Sequence, residues 1–465
     1  MKFRFTLLFF IFLANLCKAQ YPSHNMTLLG HWDPDAAQKR DSMGTQYSSV
    51  YGYYDTAKHK EYAIVGGAEG TFFIEVTDPY NPVVRDFIPG RRDSCIWREY
   101  KTYDKYVYMV SDDYAPNSFQ IADLSYLPDS VHVIYDDTAL FERAHTIFVD
   151  KDKLYCGITT KGMYFHTMSV YSLANPESPS LIRQLDEDYP YPQIEPIHDM
   201  YSRNDTVYAS AGYQGLFILK LKPDSTFSIL AFLGTYPGQG YNHSSSLTPD
   251  GRTLVFTNEV PAGLPVQVLD VSDLNDLTIT STFESHTGAT AHNPYIFGGH
   301  KALISYYQDG VQLYDISDPY HPVRTAYFDT RPEAGDNTEY ATPTYQGCWG
   351  AYPYLPSGNL LAMDMQNGLF ILKEATDTAV KSDAVIIYPN PVKDKTTVHF
   401  ELLNTENYTI KVFTVDGKII LDEVKQIVAG KFDLLLDLST IASGNYILKI
   451  EGVGMSLEQK LTKLN

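Results

Sequence analysis

A chain of 465 residues is too long for one small hydrophobic core, so it divides into two or more domains. Its formal net charge of −20 excludes nucleic acid and anionic membrane surfaces as partners, because both require clustered Lys and Arg. The 37 Tyr and 23 Phe favour strands over helices, and an acidic, Tyr-rich surface suits an extracytoplasmic protein able to bind cations.

The amino terminus is built as a secretion signal. Lys2 and Arg4 precede an apolar run from Phe5 to Leu16 that is too short to span a bilayer. Cys17-Lys18-Ala19 gives a small-x-small end, which puts cleavage before Gln20 and the signal peptide at 1–19. Cys17 also raises a lipoprotein reading, against which stands Leu16, larger than the residue that normally precedes a lipidated cysteine. No later stretch is apolar enough to be a transmembrane segment. Cys95, Cys156 and Cys348 then remain, and three cysteines without paired spacing read as small buried residues, not as a disulfide framework.

Two stretches carry nearly the same sentence, EVTDPYNPV from Glu75 to Val83 and DISDPYHPV from Asp315 to Val323. An alternating strand stops at Asp-Pro, turns, and restarts on Pro-Val. Asp bonds back to its own backbone, and Pro fixes φ and withholds an N–H. Such a duplication means an internal repeat. In chain order the units hold EYAIVG and TFFIEV; CIWREY, YVYMVS and SFQIADL; RAHTIFVD, KLYCGIT and MSVYSL; PIHDMYS, TVYASAG and GLFILKL; YNHSSSL, TLVFTNE and VQVLDVSD; AHNPYIF, KALISYY and VQLYDISD; and GCWGAYPYL, NLLAMDM and GLFILKE. Their period is roughly the 40–50 residues of propeller blades.

The last unit stops one strand short, and Met26–Pro34 resembles the missing outer strand. A ring closes best when one blade takes strands from both chain ends, because no sheet edge is left open. The predicted fold is all-β: a seven-bladed β-propeller at 20–374 closed by an N-terminal strand, with six or eight blades if a weak unit is miscounted. Unit two, with its poorly formed turn, is the weakest. A polar linker at 375–384 leads to a small β-sandwich at 385–465, with turns at Asp416-Gly417 and Ser443-Gly444.

Four units begin with a histidine, His145, His198, His243 and His292. Trp97 and Trp349 take the matching place in units two and seven, and Val50-Tyr51 in unit one. Residues at the heads of innermost strands converge on the rim of a central channel. Turns after the second strands bring Glu69, Asp112, Asp113, Glu259, Asp309 and Asp364 toward the same face. Imidazoles among carboxylates suit a divalent metal, and histidine also serves as acid or base near neutral pH. A structural alternative stands beside this: a repeated His can tie a loop to the next blade by hydrogen bonds, and four spread around a ring can lie too far apart for one ion. Glu142-Arg143 and Trp97-Arg98-Glu99 read as inter-blade ion pairs. There is no GxSxG, HExxH or Walker loop.

The final domain resembles the type A sorting domain of the type IX secretion system of Bacteroidetes. The resemblance rests on Tyr388-Pro389-Asn390-Pro391, Val415-Asp416-Gly417-Lys418, the LDLS run near Leu438, and Gly444-Asn445-Tyr446-Ile447-Leu448. It implies the type IX machinery as partner, export across the outer membrane, and release or surface attachment. Residues 26–373 resemble the LVIVD-repeat, choice-of-anchor B family of extracellular propellers, carried by AIVGGAEGTFFIEVTDPYNPV and by the unit openings quoted above. That resemblance implies a fold and no settled chemistry. The expected function is a secreted or cell-surface propeller that binds an extracellular ligand or partner. The alternative is a metal-assisted or His-dependent enzyme acting on a glycan or other polymer in the top funnel.

Overall fold

The two Asp-Pro sentences fold into the same turn. Asp78 Oδ1 accepts the Tyr80 N–H at 3.1 Å, and Asp318 Oδ1 accepts that of Tyr320 at 3.0 Å. In each case the third strand of a sheet, Gly70–Glu75 or Gly310–Asp315, ends there, and an outer strand, Val83–Pro89 or Val323–Phe328, restarts at the valine. Short Asp side chains cap several other strand ends in this way, as Asp123 does toward Ser125 and Asp270 toward Ser272.

The structure is a computed structural model that describes residues 21–34, 44–92, 94–113, 117–334, 339–375, 386–402, 406–415, 418–427, 430–452 and 455–464. The signal peptide, the linker from residue 376 and the Asp416-Gly417 turn lie outside the described residues. The chain divides into two compact units, Met1–Lys373 and Glu374–Asn465. No helix among the described residues is long and apolar enough to cross a membrane.

Among the described residues, the first unit forms seven antiparallel sheets whose innermost strands neighbour one another in a closed cycle. Those strands are Tyr47–Asp55, Arg98–Tyr103, Thr146–Asp150, Asp199–Arg203, Asn242–Leu247, Ala291–Phe297 and Cys348–Tyr352. The arrangement is propeller-like. Strand periodicity sets it, because both faces of each second strand are apolar and alternate between neighbours. Tyr62 and Ile64 pack against Val107 and Met109 of the second sheet, while Ala63 and Val65 pack against Leu361 and Met363 of the last. Equivalent clusters fill every interface around the cycle. Cys95, Cys156 and Cys348 are buried and unpaired.

Met26–Trp32 is the outer strand of the sheet that contains Cys348–Tyr352, Asn359–Asp364 and Gly368–Glu374. Just ahead of it, Ser23–His24 pairs with Val323–Phe328 as a fifth strand of the preceding sheet, a strand too short to register in the repeat pattern. Tyr21 stacks on Phe328 and meets Phe370 edge-on, and Tyr47 donates to Asp33 at 3.0 Å. The amino-terminal segment therefore straps three consecutive sheets.

The second unit pairs a three-stranded sheet with a four-stranded one. Val398, Leu434 and Leu436 from the first and Ile410, Val412, Leu448 and Ile450 from the second close one core.

Candidate functional site

The heads of six inner strands form an arc of rings. His145 and His198 have ring centres 4.1 Å apart, His198 and His243 4.4 Å, His243 and His292 4.3 Å, His292 and Trp349 4.9 Å, and Trp349 and Trp97 5.9 Å. All six line one cavity of about 540 Å³ together with Asp112, Glu259, Val260, Tyr307 and Tyr345. Successive histidines are thus adjacent, although only His198 and His243 fall with a carboxylate into a group whose donor atoms lie within 4.8 Å of one another.

A backbone bridge repeated between sheets sets this arrangement. The residue after the second strand donates its N–H to a carbonyl at or just before the ring residue of the same sheet: Asp112 to Trp97, Glu259 to Tyr241, Tyr307 to Thr290 and Met365 to Gly347. The side chain at that register is held beside the arc. Asp112 and Glu259 occupy it.

The other predicted acids do not. Asp309 lies two residues beyond the register, where it accepts Ser285 Oγ and His286 Nδ1 and bonds to Tyr340. Asp364 lies one residue before it, and the strand pleat turns it to Thr330 Oγ1 at 2.7 Å and to the N–H groups of Gln366 and Asn367. Burial holds the Asp364 carboxyl up at about 6. Asp113 accepts the Trp97 N–H at 2.8 Å, and Glu69 is not among the cavity-lining residues.

Val50-Tyr51 also departs from expectation. Val50 packs in the core, Tyr51 lines a different cavity, and the first sheet sends nothing into the histidine cavity. Nor do the two inter-blade ion pairs form. Arg98 donates to the carbonyls of Gly67, Ala68 and Arg92, Glu99 stands 3.9 Å from Lys101 on its own strand, and Glu142 accepts the Gly162 N–H. The guanidinium thus serves backbone carbonyls at the sheet junction, where a buried acceptor left short of donors is costly.

Electrostatics separates the four imidazoles. Burial pulls His145 down, but Asp112 Oδ2, 2.7 Å from Nδ1, outweighs it and leaves the group above its ordinary value. Burial, then His145 and His243, hold His198 well below the usual range. His292 is likewise pushed well down by burial, then by His243, and His243 is pushed down by burial against the pull of Glu259. Three imidazoles are therefore biased toward the neutral form, beside one, His145, biased toward the cation by its carboxylate partner. His198 Nδ1 faces the His243 carbonyl at 3.3 Å; this part of the structural alternative is present, in the same ring that lines the cavity.

Glu259 is the hub. Its carboxylate oxygens lie 3.5 Å from His243 Nε2, 3.9 Å from His292 Nε2 and 2.7 Å from the Tyr307 hydroxyl, which donates to it. Tyr307 and Tyr345 were missed from sequence. Tyr307 was findable, since it holds the Asp112 and Glu259 register in ISYYQDG; Tyr345 comes from a loop outside the repeat and carries no such signal.

Residues 386–463 match the family described as the secretion system C-terminal sorting domain. The carboxy-terminal unit is a type IX sorting domain. The protein is accordingly exported to the cell surface or secreted. No curated protein matches the chain. Among solved structures, it is similar to a protein from Lactobacillus plantarum at 11% identity, covering 84% of this chain and 100% of that one with a TM-score of 0.49. It is similar to a putative 6-phosphogluconolactonase from Bacteroides uniformis at 12% identity, covering 84% and 100% with a TM-score of 0.48. PorZ, a surface component of the type-IX secretion system of Porphyromonas gingivalis, is 12% identical, with 87% of this chain and 64% of that one covered and a TM-score of 0.38. These likenesses carry no argument about what the chain binds.

Proposed function

We propose that residues 20–374 form a seven-bladed β-propeller of the LVIVD-repeat, choice-of-anchor B kind that binds an extracellular ligand or partner in its histidine-lined funnel. A linker at 375–384 joins it to the sorting domain at 385–465, which delivers the chain to the type IX machinery. The observation that supports binding is the convergence of six ring residues, Trp97, His145, His198, His243, His292 and Trp349, with Asp112 and Glu259, on one cavity large enough for a small ligand. Trp97 and Tyr345 stay 36% and 41% exposed at its mouth, and flat, amphipathic rings there suit stacking of a ligand such as the end of a glycan.

A thermal-shift screen of the full chain against soluble extracellular oligosaccharides and small polar metabolites tests this. Hits that disappear in the Trp97→Ala/Tyr345→Ala double variant support the funnel as the site. An absence of hits, or hits untouched by the double variant, sinks it. A second reading, a His-dependent or metal-assisted enzyme, draws on the same neutral imidazoles beside Glu259. Turnover of a screened oligosaccharide by the wild type, abolished in His243→Ala, would favour it over binding alone.

A further inference from the structure

One subset of the funnel has the geometry of a metal centre, an inference that rests on the ligand-binding reading but is tested apart from it. His198, His243 and Glu259 each offer one donor atom, and the three atoms lie within 4.8 Å of one another. In a tetrahedral site with bonds of about 2.0–2.2 Å, donor atoms sit about 3.4 Å apart. His243 Nε2 and Glu259 Oε2, at 3.5 Å, are already at that spacing. The third donor needs a movement of about 1 Å, within reach of a side-chain torsion.

The surroundings supply what ligands require. His198 Nδ1 faces the His243 carbonyl at 3.3 Å, the contact that fixes a tautomer with the lone pair on Nε2. Tyr307 donates to Glu259 at 2.7 Å and orients its carboxylate. His243 is only 3% exposed and its Nδ1 has no hydrogen-bond partner, so Glu259 is the main polar group that offsets burial of this ring. Among the described residues no Lys or Arg lines the cavity, although two carboxylates open on it. A cation is the missing charge. The remaining two histidines stand apart: His145 is engaged by Asp112, and His292 lies 3.9 Å from Glu259 outside the three-atom group.

We propose that the rim holds one divalent first-row transition ion on His198, His243 and Glu259, with its remaining coordination positions open to the cavity. Two imidazoles and a carboxylate suit zinc and its neighbours; Mg²⁺ and Ca²⁺ prefer all-oxygen sets, and copper(I) prefers sulfur. The open positions face the space between Trp97, Trp349 and Tyr345, where the screened ligands would enter.

The test uses the full chain, stripped with a chelator and dialysed. Zinc chloride is titrated by calorimetry, and cobalt(II) is added as a visible-absorption probe of coordination. The expected result is one equivalent bound, weakened at least tenfold in His243→Ala and in Glu259→Gln, with His321→Ala, at the exposed Asp318 turn outside the funnel, unchanged. Glu259→Gln keeps the side-chain size, so it stays informative if His243→Ala folds poorly, and circular dichroism checks each variant. Failure of the wild type to bind either metal, or binding by Glu259→Gln as tight as that of the wild type, overturns the site. A chain that binds an oligosaccharide through Trp97 but no metal loses only this inference. One that takes up zinc but no oligosaccharide loses the ligand reading and keeps the metal.

Discussion

On one side of the histidine arc lies the 540 Å³ cavity; on the other, the same inner strands enclose a second cavity of about 310 Å³. A narrow neck bordered by Glu99, Thr146, Asp199 and Asn293 joins them. The first is built from strand heads and carries neutral imidazoles, with Glu259 held by Tyr307. The second is built from the following residues of the same strands. It carries Tyr51, Tyr201, Tyr295, Tyr352 and Tyr354 around a floor with Glu99, Asp199 and one cation, Lys101. The difference lies in how burial of charge is met. In the upper cavity burial biases three rings toward the neutral form, Asp112 is paired with the fourth, and Glu259 is hydrogen-bonded by Tyr307. In the neck Glu99 sits deep beside Asp199 with Lys101 at 3.9 Å, and burial first, then Asp199, raises its carboxyl to about 7 against the pull of Lys101.

The largest effect expected from breaking this contrast is at Glu99. A carboxyl whose folded-state pKa is raised keeps its proton longer in the folded chain than in the unfolded one. Its favourable contribution is therefore complete below the unfolded value and is lost as pH rises from about 4.5 to about 7. Glu99→Gln should flatten that fall, which amounts to about 3 kcal/mol at most since one pKa unit is about 1.4 kcal/mol. Urea unfolding of both chains from pH 4 to pH 8 measures it. Parallel stability curves for wild type and variant would show that Glu99 is not the neck's titrating group.

A middle-sized effect falls in the upper cavity. Tyr307→Phe removes the donor to Glu259 and leaves a half-buried carboxylate one partner short, a cost of about 1–2 kcal/mol in thermal or urea unfolding. An unchanged midpoint would mean that solvent replaces the hydroxyl and that Glu259 is not held.

The smallest sharpens the lower side alone. Lys101 lowers the Glu99 pKa by its charge and lies over the Tyr51 ring at 5.1 Å. Lys101→Ala should move the upper edge of the pH window above 7 while changing stability at pH 4 by only about 0.5 kcal/mol. A window that stays in place would mean that the lysine does not oppose the burial and the Asp199 charge that raise the carboxyl.

The all-β, propeller-like fold was legible because its determinants are local and repeated. The continuous apolar run in EYAIVG states that both faces of that strand are buried, and Asp-Pro states where the third strand stops. The histidine heads were legible for the same reason, since His145, His198, His243 and His292 recur at one register. What repeats poorly was misread. Asp309 and Asp364 are acids near the right turn, but Asp364 stands one residue off on a pleated strand, which turns it to the other face, and Asp309 lies past its strand end in the turn itself. The lower cavity left no mark, because Glu99, Asp199 and Asn293 differ from sheet to sheet and only their convergence gives them a common meaning. Tyr345 needed the fold outright.

The strap formed by residues 21–34 has a consequence for the order of events during export. The strand Met26–Trp32 is among the first to emerge, yet its partner, Gly368–Glu374, emerges some 340 residues later. Until then the earliest strand has no edge to join, and the growing array presents an open sheet at each end. A chain halted short of the strand Gly368–Glu374 is therefore an unclosed arc with two sticky rims, and that strand acts as the latch that makes the molecule safe to release.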